Sequence, residues 1–141
     1  MTARMFEVRG VPAPQGSKRH VGNGRMVESS KAVGPWREAV RGEAQRNIRE
    51  PFPGAVQVVM VFRFPRPKGH YGTGRNRATV RPSAPFYPDG RPDVDKLARA
   101  VLDGLTMGGA FKDDAQVVEL VARKMYGPPG VMIRISGLGE E

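Results

Sequence analysis

All six aspartates of this 141-residue chain fall between Asp89 and Asp114, in a protein whose formal net charge is +9. They are grouped. Asp93 and Asp95 stand two residues apart, a spacing that sets both carboxylates on one side of an extended segment, and Asp113 and Asp114 are adjacent. Converging carboxylates repel one another, and a bound cation relieves that cost. Mg²⁺ suits an all-oxygen donor set that leaves coordination positions for water, with Mn²⁺ as the expected substitute. On a phosphodiester such an ion activates water, stabilises charge at phosphorus and assists the leaving oxygen. Arg99, one turn beyond Asp95, adds a fixed positive charge toward the same phosphate. Taken singly, each acid has a plainer use: Asp93 as a helix cap, Asp95 as a first-turn acid, and Asp113–Asp114 as a turn. Their confinement to one stretch of a basic chain favours the metal site.

Those acids must be positioned by the elements around them. Val94, Leu97, Ala98, Val101, Leu102 and Leu105 recur at helical spacing, so one face of a helix starting after Pro92–Asp93 is expected to pack on a sheet. The opposite face carries Asp95, Lys96, Arg99 and Asp103. After Gly108–Gly109, residues Asp114 to Tyr126 alternate as a strand, and Pro128–Pro129–Gly130 reads as a turn into a last strand, Val131–Ser136, its expected hairpin partner. A helix lying antiparallel across a sheet separates its two ends. The two acid pairs therefore meet only if the following strand returns alongside the helix, or through a second copy of the chain.

Earlier in the chain, Met5–Val11 reads as a strand ended by Pro12 and Pro14. The loop Pro14-Gln-Gly-Ser-Lys-Arg-His offers Lys18 and Arg19 to a phosphate, but lacks the ending of a Walker loop. Pro35 opens an amphipathic helix ending near Arg49, with Trp36 as its core anchor. Val56–Phe64 is a nearly continuous apolar run, as a buried central strand would be. Pro65–Pro92 is a long loop rich in Gly and Pro, with Arg66, Lys68, Arg75, Arg77, Arg81 and Arg91 among Tyr71, Phe86 and Tyr87, and a flexible DNA-contacting segment is expected there. Gly72-Thr-Gly74 lacks the surroundings of a dinucleotide fingerprint, and His20 and His70 lack metal-ligand spacing. The resulting expectation is one α+β domain over residues 1–141, an α/β sandwich. It has a small mixed sheet of about four strands and two main helices, in the order β-α-β-(long basic loop)-α-β-β.

Composition narrows the function. The 23 Lys and Arg against 14 Asp and Glu favour association with nucleic-acid phosphates through counterion release. No cysteine is present, so disulfide and thiolate chemistry are excluded and a reducing cytoplasm is the expected setting. Met1–Val11 carries Arg4, Glu7 and Arg9, unlike a signal core, and no run has membrane length. Pro92–Asp93 invites comparison with the PD-(D/E)xK nucleases. The downstream Ala122-Arg123-Lys124 lacks the acid two residues before the lysine, which disfavours that group.

Arg91-Pro-Asp93-Val-Asp95-Lys-Leu-Ala-Arg99-Ala-Val-Leu-Asp103-Gly-Leu, followed by Phe111-Lys-Asp113-Asp114-Ala-Gln-Val-Val, resembles the RusA family of Holliday junction resolvases, common in phages and prophages. The specific match covers Arg91 to Lys124, and the Pro-Ala-Pro-Gln-Gly-Ser-Lys-Arg loop is similar to that of phage members. The resemblance implies a homodimeric, Mg²⁺-dependent endonuclease that makes paired symmetric nicks in four-way DNA junctions, in recombination and repair. It implies no organic cofactor and no membrane partner, in the cytoplasm or in the host cell if phage-encoded. By position it makes Asp93, Asp95 and Asp114 catalytic, metal-binding residues, with Asp113 as a further metal neighbour. Lys96 stands where the family usually has Asn, and Arg99 where it has a catalytic lysine. Arginine does not readily exchange a proton at neutral pH, so Arg99 keeps an electrostatic role and Lys96 or Lys124 would substitute in proton transfer. The expected DNA contacts are Lys18, Arg19, Arg66, Lys68, Arg75, Arg77, Arg91, Lys96 and Lys124. The alternative is a branched-DNA-binding protein without catalysis, its nuclease site degenerate.

Overall fold

The computed structural model describes residues 2–16, 18–20, 26–28 and 31–139, the two short segments by their backbone alone. The elements are β1 (Ala3–Arg9), β2 (Lys18–His20), β3 (Met26–Glu28), α1 (Val33–Asn47), β4 (Val56–Phe64), α2 (Val94–Met107), β5 (Val117–Tyr126) and β6 (Gly130–Gly137). The fold is α+β, a four-stranded mixed sheet in the order β1-β6-β4-β5 with two helices, plus a β2–β3 hairpin. That hairpin was not legible in the sequence.

Alternation along β4 puts Val56, Val58, Met60 and Phe62 wholly out of solvent on one face. Both helices bury their apolar stripes on that side, α1 through Val33, Trp36, Val40 and Ala44 and α2 through Leu97, Ala98, Val101 and Leu105. Trp36 is buried, as its core role requires, with the ring against Gly10. Gly10 has φ +123°, a left-handed value open to glycine at little cost, and ends β1 there. The helices cross closely because α2 presents glycine. A Cβ on Gly104 would lie 2.7 Å from the Val40 Cβ, and one on Gly108 would lie 2.7 Å from the Ala44 Cβ.

The expected hairpin between the last two strands is corrected by the topology. β5 pairs parallel with β4, while β6 pairs antiparallel with β4 on its other side and with β1. The turn residues Pro128–Pro129 carry the chain past the end of β4, where the Gly127 N–H donates to the Phe64 carbonyl at 3.0 Å. Burial explains the exchange. Val131, Ile133 and Ile135 of β6 are fully buried, whereas Val118, Leu120 and Val121 leave β5 largely exposed at an edge. The strand with more to hide takes the interior position.

The long loop between β4 and α2 has local structure: single 3-10 turns at Lys68–His70 and Gly74–Asn76, and a bridge between Tyr71 and Val80. Arg66 pins it, donating from Nη1 to the Pro85 carbonyl at 2.8 Å while its guanidinium lies 4.3 Å from the Tyr126 ring centroid. Among the described residues, no helix is long and apolar enough to cross a membrane.

Candidate active site

Asp93 is the residue before the first turn of α2, with extended backbone at φ −70° and ψ 141°. Its carbonyl accepts from the Leu97 N–H at 3.1 Å, but its carboxylate makes no capping bond to the helix. That leaves the side chain for something else. Asp95 lies in the first turn, where the helix dipole favours an acid, and both residues are exposed.

The segment before Asp93 is held by Lys124. From the half-buried face of β5, its Nζ donates to the Gly90 carbonyl at 2.6 Å and to the Pro92 carbonyl at 2.8 Å. Lys124 is in register with Phe62 of β4, on the helix-covered face of the sheet. An ammonium there must find acceptors, and the loop carbonyls satisfy it. This anchoring was missed in the sequence, although a lysine in register with apolar Ala122 and Tyr126 is the sign of such a partner.

The second acid pair sits at the other end of α2. Asp113 caps a 3-10 turn at Asp114–Gln116, its Oδ1 accepting from the Ala115 N–H at 2.9 Å. Gln116 locks the same corner. Its Oε1 accepts from the Lys112 N–H at 3.0 Å, and its Nε2 donates to the Phe52 and Gly54 carbonyls at 2.9 and 2.8 Å. Asp114 holds no backbone group in this way, and its carboxyl shares a hydrogen bond with that of Asp113. It lines a shallow cleft of about 370 Å³ with Asp113, Asp103, Arg37 and Lys112. Partial burial, followed by the charges of Asp113 and Asp103, raises its carboxyl above the ordinary carboxylate range. Arg37 faces Asp103 across 3.6 Å and donates to the Gln15 Oε1 at 3.1 Å. The parts played by Asp103, Arg37 and Gln116 were also not read from the sequence.

β5 does return alongside α2 toward its start, but its acids lie at its beginning. What arrives at Asp93 within one chain is Lys124 rather than Asp114. The eight residues from Asp95 to Asp103 rise roughly 12 Å along the helix, and Asp114 is beside Asp103. Among the described residues, no three acids or histidines gather closely enough to hold a metal ion. The donor chemistry nonetheless fits a hard cation: exposed, all-oxygen, and at Asp114 carrying a repulsion that a cation would relieve.

Of the expected DNA contacts, Lys68, Arg75, Arg77 and Arg91 are exposed on the loop, as is Arg99 on α2 between the acid pairs. Lys96 is half-buried in the first turn of α2, where its carbonyl accepts from the Gln15 N–H at 3.0 Å. Arg66 and Lys124 are committed to loop carbonyls. The side chains of Lys18 and Arg19 lie outside the described residues. His70, given no role from the sequence, packs edge-on to Tyr126 with ring centroids 5.4 Å apart.

No curated protein matches this chain. A protein-family model described as Endodeoxyribonuclease RusA matches residues 7–136, a span that takes in the sheet from Glu7 near the end of β1 to Ser136 of β6, the basic loop and both acid pairs. The chain belongs to the RusA family of Holliday junction endonucleases.

Proposed function

We propose that this protein resolves four-way DNA junctions by paired symmetric nicks, in recombination and repair, as a homodimer using Mg²⁺, with Mn²⁺ as a working substitute. The observation that carries the reading is the Asp93–Asp95 pair: exposed, unused for capping, and set on a segment that Lys124 fixes, in a chain of a junction-endonuclease family. Asp93, Asp95 and Asp114, with Asp113 beside it, would hold the ion, which supplies an activated water and charge neutralisation at the scissile phosphate. Arg99 orients and neutralises that phosphate through its planar fork. The exposed arginines and lysines of the loop track the flanking backbone.

The separation of the acid pairs along α2 supports a site shared between two copies, each giving Asp93 and Asp95 to one site and Asp114 to the other. The exposed Val118, Leu120 and Val121 of edge strand β5, next to Asp114, provide apolar surface for that association.

Mixing variants tests this. Asp95→Asn and Asp114→Asn are each expected to bind a junction without cutting it. Co-refolded, they regain single nicks, because one site of the mixed dimer then holds both native acids. Sites built within single chains would leave the mixture inactive. A wild-type protein that binds junctions but nicks none with either metal would turn the reading toward a binding protein with a degenerate site, of which Arg99 in place of lysine would be the mark.

A further inference from the structure

One cleft is not used by the reading above. About 420 Å³ in volume, it is walled by Tyr71, Val80 and Phe86 of the basic loop and by Arg66, Met125 and Tyr126 at the end of the sheet. Three aromatic rings and a guanidinium line a space larger than a nucleobase. Phe86 is 70% exposed and Val80 40% exposed, an apolar surface that a free monomer would bury if it had no partner for it. The rings are not loosely hung. Tyr126 carries Arg66 on its face and His70 at its edge, Arg66 holds the Pro85 carbonyl directly before Phe86, and Tyr87 meets Phe86 edge-on at 4.8 Å between centroids.

We infer that this cleft receives an unstacked base from the branch point of the DNA, with Phe86 as its stacking platform. Phe86 is the most exposed ring in the cleft. Exposed Lys68, Arg75, Arg77, Arg81 and Arg91 lie on the same loop, where Asp89 is the only acid, so the charge of the loop suits a base on its phosphate backbone. The cleft also lies near the segment that carries Asp93. Pro65 and Tyr126 form part of its wall and part of the wall of a neighbouring cleft lined by Gly90, Arg91, Pro92 and Lys124, the segment directly before Asp93. A base held at Phe86 would register the branch point against the carboxylates. Paired duplex has no such base to give, so the cleft would add selectivity for the branched substrate.

The inference rests on the reading of the protein as a junction nuclease, and binding in chelator separates the two. Affinity is measured for an immobile four-way junction and for a duplex of one arm's sequence, with wild type, Phe86→Ala and Phe86→Trp. Phe86→Ala is expected to weaken junction binding about tenfold, the scale of one base–aromatic stack, and duplex binding less than twofold. Phe86→Trp retains junction affinity. A junction whose branch-point bases are replaced by abasic residues costs the wild type the same factor, and Phe86→Ala no further loss, because the two changes remove one contact. Equal losses on junction and duplex, or losses that multiply on the abasic junction, overturn the inference alone. So does dissociation of the Phe86→Ala dimer in sedimentation, which would assign the cleft to a second copy. A wild type with no preference for the junction overturns the underlying reading and the inference with it.

Discussion

Replacing Lys124 by methionine keeps the aliphatic stem in the sheet and removes the two bonds that fix the segment before Asp93. A hydrogen bond from a charged group contributes about 1.5–3 kcal/mol. The Gly90 carbonyl is on the exposed side and water replaces that bond cheaply, whereas the half-buried Pro92 bond is lost outright. The expected loss is therefore about 2 kcal/mol. For a chain of this size, about 4 °C per kcal/mol sets a fall of about 8 °C in Tm. Cleavage suffers more than stability suggests, because Asp93 and Asp95 lose their placement, and misplacement by an ångström costs roughly a hundredfold in rate. Thermal unfolding, single-turnover cleavage and the salt dependence of junction binding are measured together. A lysine on a phosphate would reduce the slope of log affinity against log salt by about 0.9 on substitution, while an anchoring lysine leaves it unchanged. Lys124→Arg, which can donate to both carbonyls, restores most of the rate. An unchanged Tm together with abolished cleavage that arginine does not restore would refute the anchoring role and make Lys124 a group in the chemistry itself.

Gly104→Ala forces a methyl to 2.7 Å from the Val40 Cβ and 3.0 Å from the Arg37 carbonyl. Overpacking of about 1–3 kcal/mol exceeds the gain of about 1 kcal/mol in helix propensity, so Tm falls by several degrees in a thermal melt. Asp114 holds its proton to higher pH when folded than when unfolded. In chelator, the contribution of Asp114 to stability is therefore greatest below the ordinary carboxylate range and declines as pH rises from there through the raised value. Asp114→Asn removes that decline and melts higher at neutral pH while losing cleavage, and a melt series across pH tests it. Leu120→Glu places charge on the exposed β5 edge. It is expected to yield monomers in sedimentation that bind duplex but do not cut junctions.

The helices and β4 were legible because their signal is local: a stripe at 3.6-residue spacing on α2 and an unbroken apolar run on β4. The pairing of β6 was not, because Pro128–Pro129–Gly130 reads as a hairpin turn while the choice of neighbour depends on what else is competing for the centre of the sheet. The acid pairs were legible as residue types in a basic chain. Their distance apart was not, since it follows from β5 running antiparallel to α2 and from the acids standing at the start of that strand. Lys124 and Gln116 show the same division. Each reads as an ordinary polar residue, and each takes its importance from carbonyls between roughly 30 and 65 residues away in sequence.

The interior position of β6 bears on how the protein is made. Among the described residues β1 has no neighbour in the sheet except β6, and β4 is bare along one edge without it. A ribosome that has released β1 through β5 but still encloses β6 therefore holds a chain whose first strand is unpaired and whose core lacks Val131, Ile133 and Ile135. Folding of the sheet waits for β6 to emerge, which keeps its sequence-distant contacts late. For a nuclease that delay has a use, because the sheet that carries the acid pairs cannot close before β6 is free.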